Sequence, residues 1–230
     1  MTSEPTFDDS VAHRHIDADE HDDIYVVGDV HGCLAELQSL LARLDVGDDD
    51  LVVFVGDLVR KGPDSLGVLD LVRRRPNVTS VRGNNEEKLL RGDAVVQSFG
   101  PAEREYVASL PVAISFDDAL VVHGGVDPRR PLDEHSVDDL QNMRSLAGGS
   151  YERPFWFEEH DGPWQVFFGH TVLERPVERE WAVGLDTGCV YGGELTAYDY
   201  RADELVVEPA ERTVEERSDD SIVSPRSSSP

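Results

Sequence analysis

Histidine, aspartate and asparagine side chains recur along this chain directly after short apolar runs. IYVV at 24–27 is followed by GDVHG, LVVFV at 51–55 by GD, and VTSV at 78–81 by RGNN. ALVV at 119–122 then precedes HGG, and QVFF at 165–168 precedes GH. One glycine–aspartate pair after an apolar run is ordinary turn chemistry. Five polar run ends, three of them with histidine, indicate a site built from oxygen and nitrogen ligands.

Six side chains at these run ends are candidate metal ligands. They are Asp29, His31, Asp57, Asn84, His123 and His170. Six ligands are more than one ion needs. They suit two ions that share a bridging carboxylate and lie roughly 3.5–4 Å apart, as in two-metal phosphoryl-transfer sites. The glycines beside them allow the backbone to approach the site closely.

The apolar runs predict strands that are covered on both faces, because they are short, nearly continuous and rich in β-branched residues. WAVGL at 181–185 is a sixth run of this kind. Between the first three runs lie LAELQSLLARL (34–44) and SLGVLDLVRRR (65–75), whose leucines recur at helical spacing. Strands that alternate with helices predict an α/β domain with an at least partly parallel sheet. The carboxyl ends of such strands form a ligand crevice, which is where the polar side chains stand.

The motif series resembles that of calcineurin-like metallophosphoesterases, within the phosphoprotein-phosphatase superfamily. The motifs are GDVHG (28–32), GDLVRKG (56–62), RGNN (82–85), HGG (123–125) and FGH (168–170). GDLVRKGPDS (56–65) and GLDTGCVYGGELTAYDY (184–200) are similar to the bacterial and archaeal diadenosine-tetraphosphatase-like branch. The resemblance covers about residues 24–200. It implies two mixed β-sheets packed as a sandwich and flanked by helices.

The resemblance also implies a role for each candidate ligand. Asp29 and His31 would bind a first metal and Asp57 would bridge both metals. The second metal would be bound by Asn84, His123 and His170. The ions would be divalent, most often manganese, with iron or zinc as alternatives. A water or hydroxide held between them would attack phosphorus in line.

Two arginines are candidates for binding phosphate oxygens. Arg82 stands beside the candidate ligand Asn84, and an arginine fork suits phosphate geometry. Arg144, in NMRSL, is a weaker candidate for the same role. The alternative for both is an ordinary exposed arginine.

Two positions depart from the family pattern. Most members have a histidine where this chain has Asn85, and the aspartate that pairs with it is Arg60 here, followed by Lys61. The Asp–His pair is thought to protonate the leaving group. A serine alkoxide needs that proton, whose delivery is worth typically 10²–10⁴-fold, whereas a phosphate leaves an anhydride readily as an anion. Arg60 and Lys61 are expected to bind additional phosphate charge, with a solvated loop as the alternative.

The sequence therefore predicts a two-metal phosphohydrolase that cleaves phosphate anhydrides or esters. A nucleoside polyphosphate such as a dinucleoside tetraphosphate is the favoured substrate. The expected catalytic positions are Asp57, Arg82 and Asn85, and the expected substrate-binding positions are Arg60, Lys61, Arg82 and Arg144. A protein serine/threonine phosphatase is one alternative, and a non-catalytic protein that binds metal and nucleotide is another.

The composition of the chain indicates which binding partners and which cellular location to expect. The chain has 47 acidic and 21 basic residues among 230, a formal net charge of −26, and only two lysines. Such a charge is expected to repel membranes and duplex nucleic acid, and to suit a salt-rich cytoplasm in which screening weakens self-repulsion. The N-terminus lacks the basic-then-apolar pattern of a signal peptide, so a cytoplasmic location is expected. Cys33 and Cys189 are predicted to be buried free thiols.

Polar composition at both ends predicts three segments. Residues 1–22 are expected to be a disordered acidic arm, residues 23–207 the metallophosphoesterase domain, and residues 208–230 a disordered tail. Neither end contains a periodic apolar pattern that would predict a helix or strand of its own.

Overall fold

The strands and helices are described in a computed structural model that covers residues 4–148 and 150–226. The strands are β1 (His13–His15), β2 (Ile24–Val27), β3 (Leu51–Phe54), β4 (Val78–Ser80), β5 (Ala113–Phe116), β6 (Ala119–Val122), β7 (Gln165–Phe168), β8 (Val177–Arg179), β9 (Ala182–Gly184), β10 (Glu194–Asp199) and β11 (Glu204–Pro209). The α-helices are α1 (Leu34–Arg43), α2 (Ser65–Arg74), α3 (Asn84–Arg91), α4 (Pro101–Ser109), α5 (Val137–Asn142) and α6 (Trp156–Glu159).

The strands form two mixed sheets. One has six strands in the order β1-β5-β6-β7-β9-β8, and the other has five in the order β11-β10-β2-β3-β4. Within the second sheet β2, β3 and β4 are parallel, and within the first β6, β7 and β9 are parallel. All six predicted strands and both predicted helices are present, each ending within one residue of its expected bounds. The α/β prediction is confirmed.

The two sheets pack face to face, as the resemblance implies. Alternate residues of β2 and β3, such as Val26 and Val53, meet Phe167 of β7 in a buried inner layer. The other faces of the strands are covered by helices: Phe54 packs in one cluster with residues of α1 and α2, and Phe168 packs in another with Trp156 of α6. Because both faces are buried, the strands read as continuous apolar runs. The sandwich flanked by helices is thereby confirmed.

Both ends of the chain contain residues that pack against the domain, unlike the disorder that the sequence predicts. His13–His15 pairs in parallel with β5, and Val11 and Ile16 are buried. At the other end β11 extends to Pro209, and Val223 is buried and hydrogen-bonds through its backbone to Val172. The prediction of disorder is wrong for the described part of both segments, because isolated apolar residues dock onto a core that the rest of the chain has built. Residues 1–3 and 227–230 of these segments lie outside the described residues.

No helix among the described residues is long and apolar enough to cross a membrane.

Candidate metal centre

The candidate ligands lie on loops at the carboxyl ends of strands from both sheets. Those from the five-stranded sheet follow β2 and β3 or begin α3, and those from the six-stranded sheet follow β6 and β7. All are buried except the half-buried Asn84. The structure brings together all six: Asp29, His31, Asp57, Asn84, His123 and His170.

Asp29, His31 and Asp57 form the first half of the centre. Their ligand atoms all lie within 4.8 Å of one another. The His31 Nε2 atom is 3.7 Å from Asp29 Oδ2 and 3.6 Å from Asp57 Oδ2. These oxygen and imidazole nitrogen atoms face a common point at which one cation would contact all three.

The second half is built around the other oxygen of Asp57. His123 Nε2 is 3.4 Å from Asp57 Oδ1 and 3.3 Å from Asn84 Oδ1. The rings of His123 and His170 stand edge to face, with their centroids 5.0 Å apart. Asp57 therefore presents one carboxylate oxygen to each half, which is the arrangement of a bridging ligand.

Three observations indicate that this donor set suits divalent cations. His170 Nε2 is buried without a hydrogen-bond partner, so its lone pair lacks the contact that a buried polar atom needs. His31 Nε2 accepts from the Lys61 ammonium at 2.8 Å, so a cation already contacts the first half. His123 Nδ1 lies 2.8 Å from the Val55 carbonyl oxygen, which fixes the ring and turns Nε2 towards the centre.

The electrostatics of the centre also favour added positive charge. Burial, together with the nearby Asp186, raises the pKa of Asp29 well above its usual value. Burial lowers the pKa of His31 to about 3 and lowers that of His170 well below its usual value. His123 differs: burial opposes its charge, but Asp57 and Asp29 raise its pKa to about 9. Divalent cations would relieve the crowding of these carboxylates.

Unusual backbone conformations position the ligands. His31, Asp57 and His170 have positive φ angles of 50°, 50° and 64°, which non-glycine residues seldom adopt. Gly169 is required for a different reason, because a Cβ there would overlap the Asp29 carboxylate. The expected close approach of glycine backbone is confirmed at this position, and the unusual backbone conformations lie on three of the candidate ligands.

Glu86 organises the centre without being a candidate ligand. This fully buried carboxylate accepts hydrogen bonds from the backbone N–H groups of Asp57 (2.9 Å), Val59 (3.2 Å) and Gly83 (2.9 Å). It therefore ties the loop after β3 to the start of α3. Burial and the Asp57 charge raise its pKa to about 7. The spacing Gly83-x-x-Glu86 is typical of a helix start, but nothing in the sequence indicates that Glu86 also holds the loop of Asp57.

Asn85 lies between Arg60 and Asp57. The Arg60 guanidinium donates to Asn85 Oδ1, and Asn85 Nδ2 donates to Asp57 Oδ2. The Asn85 backbone N–H also donates to Asp57 Oδ1 at 2.8 Å. The two residues that depart from the family pattern are thus partners in one hydrogen-bonded row. An amide in this row orients the bridging carboxylate, but it has no proton to give to a leaving group.

Of the other residues that were predicted to bind substrate, Lys61 and Arg144 contact the candidate ligands and Arg82 does not. Lys61 contacts His31, as described, whereas the Nη2 atom of Arg144 donates to the His170 carbonyl oxygen at 3.1 Å. The guanidinium of Arg82 contacts neither ligand set and pairs instead with Glu87, 2.9 Å from Nε to Oε2. Arg144 therefore contacts a candidate ligand and Arg82 does not, whereas the sequence favours Arg82 as the phosphate-binding residue.

The two cysteines are free and buried, which confirms the prediction for them. Together with Glu36 they form a second group of potential ligand atoms within 4.8 Å of one another. Cys33 follows His31 by two residues and Cys189 follows Asp186 by three, and both cysteines belong to the same apolar cluster.

Known proteins resemble this chain in sequence or structure over most of its length. Bis(5'-nucleosyl)-tetraphosphatase PrpE of Halalkalibacterium halodurans is 30% identical, over 80% of this chain and 93% of that protein. Serine/threonine-protein phosphatase 1 of Salmonella typhimurium is 31% identical, over 80% of this chain and 94% of that protein. A crystal structure described as a diadenosine tetraphosphatase superposes with a TM-score of 0.77 at 32% identity, over 87% of this chain and 98% of that one.

The sequence profile of the calcineurin-like phosphoesterases matches residues 23–207, the stretch that contains all six candidate ligands and every strand except β1 and the end of β11. The chain belongs to the calcineurin-like phosphoesterase family and is a metal-dependent phosphohydrolase.

Proposed function

We propose that this enzyme hydrolyses phosphate anhydride bonds in nucleoside polyphosphates, with a dinucleoside tetraphosphate as its substrate. The row of Arg60, Asn85 and Asp57 carries the proposal. It stands where family members have a proton donor, and it contains no group that gives up a proton at neutral pH. A substrate whose leaving group departs as a phosphate anion does not need that donor.

The six candidate ligands are proposed to hold two divalent ions, preferably manganese, with Asp57 between them. Ions bound there supply a Lewis acid and a hydroxide nucleophile. The chain supplies the rest: Glu86 fixes the backbone of Asp57, and Asn85 fixes its carboxylate. Arg60 and Lys61 bring positive charge beside the centre, which favours a substrate with several phosphates.

The relatives support this substrate class without deciding it. The PrpE protein of Halalkalibacterium halodurans is named as a tetraphosphatase, and the Salmonella typhimurium relative of similar identity is named as a protein phosphatase. Phosphoserine hydrolysis is therefore the second candidate function. The excess of 26 negative charges supports our proposal that the enzyme works in a salt-rich cytoplasm.

The test compares hydrolysis of diadenosine tetraphosphate with that of a phosphoserine peptide in high salt, with and without manganese. We expect manganese-dependent cleavage of the anhydride to exceed peptide cleavage. Asp57→Asn is the control, because it keeps the shape of the side chain but removes the bridging charge. Faster cleavage of the peptide would contradict the proposal, and inactivity on both substrates would favour a protein that only binds metal and nucleotide.

A further inference from the structure

Beside the metal centre, three cationic and two tyrosine side chains alternate in an arc that we call the tyrosine–cation arc. Its members, in spatial order, are Lys61, Tyr191, Arg217, Tyr151 and Arg144. Both tyrosines and both arginines are half-buried, so each still reaches solvent. The arc combines residues that are far apart in the sequence, and Arg217 comes from the segment predicted to be a disordered tail.

One end of the arc begins at the metal ligand His31. The Lys61 ammonium contacts His31 and lies 5.2 Å from the centre of the Tyr191 ring. The Cζ atom of Arg217 lies 4.8 Å from the centre of the same ring, and its Nη1 atom donates to the Tyr191 hydroxyl at 3.0 Å. Tyr191 is thus held between two cations, the first of which touches the centre.

The other end of the arc returns to the metal ligand His170. The Cζ atom of Arg217 is 5.7 Å from the centre of the Tyr151 ring, and its Nη2 atom donates to the Tyr151 hydroxyl. The Cζ atom of Arg144 lies 5.1 Å from the centre of the Tyr151 ring, and Arg144 donates a hydrogen bond to the His170 backbone carbonyl. Its Nε atom is buried without a hydrogen-bond partner among the described residues.

The C-terminal segment is fixed on both sides of Arg217. The backbone N–H of Val214 donates to the Val190 carbonyl at 3.0 Å. After Arg217, the Val223 N–H donates to Val172 at 2.8 Å, and the Val223 carbonyl accepts from Glu174 at 2.9 Å. These bonds hold the segment against the loops that follow β7 and β9, and so hold Arg217 at the edge of the centre.

Arg217 retains capacity for an anion. A guanidinium has five N–H groups. Within residues 4–148 and 150–226, Arg217 uses one for the Ser221 carbonyl at 2.9 Å and one for each tyrosine hydroxyl. This leaves one N–H on each terminal nitrogen. The buried Asp186 carboxyl interacts with all three cations, but a single carboxylate leaves them with an excess of positive charge. Such an excess, on a chain with a net charge of −26, suits a polyanionic ligand.

We propose that the tyrosine–cation arc binds the phosphate chain beyond the bond that is cleaved, with Arg217 as the residue that selects condensed phosphates over single ones. This inference rests on the proposed function, which places one phosphate at the metal centre. A second phosphate then lies towards Tyr191 and Arg217. Part of the substrate site is therefore supplied by the C-terminal segment.

The test measures binding without turnover, by calorimetry at fixed free manganese and fixed salt. The probes are methylenediphosphonate, which has two phosphorus groups and cannot be hydrolysed, and methylphosphonate, which has one. We expect Arg217→Ala to weaken binding of the diphosphonate by about tenfold or more and to change binding of methylphosphonate by less than about threefold. Arg212→Ala, on the same segment and exposed, removes an equal charge and should leave both affinities unchanged.

Arg217→Lys keeps the charge but loses the two-sided contact with the tyrosines, so we expect intermediate affinity for the diphosphonate. A lowered melting temperature of Arg217→Ala would show that this variant unfolds the C-terminal segment. In that case the affinities of Arg217→Lys test the proposal instead. The proposal would be overturned if the Arg217 variants bound the diphosphonate and methylphosphonate with equally weakened affinity, or bound both with unchanged affinity. If the protein binds the diphosphonate through Arg217 but hydrolyses no anhydride, only the proposed hydrolysis is contradicted. If the protein hydrolyses the anhydride but its affinity for the diphosphonate does not depend on Arg217, only the role of the tyrosine–cation arc is contradicted.

Discussion

Restoring the family's Asp–His pair should redirect the enzyme towards ester substrates. The variant is Arg60→Asp with Asn85→His, two positions whose side chains already touch. The backbone at residue 60 has a φ of 73°, a conformation that aspartate tolerates better than arginine does. Residue 85 is only 3% exposed, so an imidazole there is held close to the bridging Asp57.

The expected size of the effect follows from the missing proton. General-acid catalysis is worth typically 10²–10⁴-fold, or about 2.7–5.5 kcal/mol of barrier. Because the surrounding loops pack against arginine and asparagine rather than the new pair, we expect only part of this effect, a gain in kcat on a phosphoserine peptide of about tenfold to a hundredfold. On diadenosine tetraphosphate we expect no gain, and a higher KM because the Arg60 charge is lost.

Three controls separate this explanation from a general change in the site. Arg60→Asp alone breaks the contact with Asn85 and adds no donor, so it should not raise peptide cleavage. Melting temperatures of the variants show whether the fold persists, and measured manganese content shows whether the ligands do. Equal changes of kcat on ester and anhydride in the double variant would refute the leaving-group argument on which the substrate assignment depends.

Three further predictions concern the fold and its surroundings. Burial lowers the pKa of His135, which bonds to Asp127 N–H and the Pro131 carbonyl, so its contribution to stability is present above pH 6.5 and is lost as pH falls. Urea denaturation should therefore show a smaller loss of unfolding free energy from pH 7 to pH 5 in His135→Gln than in the parent, by at most about 1.4 kcal/mol per pH unit; equal losses would contradict this. Cys33 and Cys189 should react with a thiol reagent only slowly until urea unfolds the protein, since both are 1% exposed, and fast reaction of the native protein would be inconsistent with their burial. The melting temperature should rise when potassium chloride is increased from about 0.1 M to 1 M, because the Debye length falls from about 10 Å to about 3 Å and the 26 excess charges repel less; an unchanged melting temperature would argue against adaptation to salt.

The core of the fold could be predicted because its strands are buried on both faces. Leu51–Phe54 and Ala119–Val122 are apolar at every position, and such runs can be recognised without knowing their neighbours. β1 and the C-terminal segment could not be predicted in this way. His13–His15 becomes a strand only because the edge of β5 is available to pair with it. Val223 is one apolar residue in a polar segment, and its burial depends on a groove that other residues form.

The candidate ligands were predictable because each follows a recognisable strand, whereas the groups that support them were not. Nothing local to Glu86 indicates that it accepts three backbone hydrogen bonds from two loops. The pairing of Arg82 with Glu87 is a choice among side-chain contacts that a sequence does not specify. Arg217 lies 156 positions after Lys61, and only the folded chain brings both to the same tyrosine.

The two departures from the family pattern and the tyrosine–cation arc bear on the same chemical requirement. An enzyme with a proton donor can cleave esters whose leaving group is a strong base. When Arg60 and Asn85 stand in place of that donor, the remaining substrates are those whose leaving group is stable as an anion. That anion must still be neutralised as it departs, and the cations that would do so are Lys61 at the centre and Arg217 beyond it. Loss of the proton donor and gain of positive charge therefore favour the same substrates, since a condensed phosphate leaves without a proton and carries the negative charge that these cations bind.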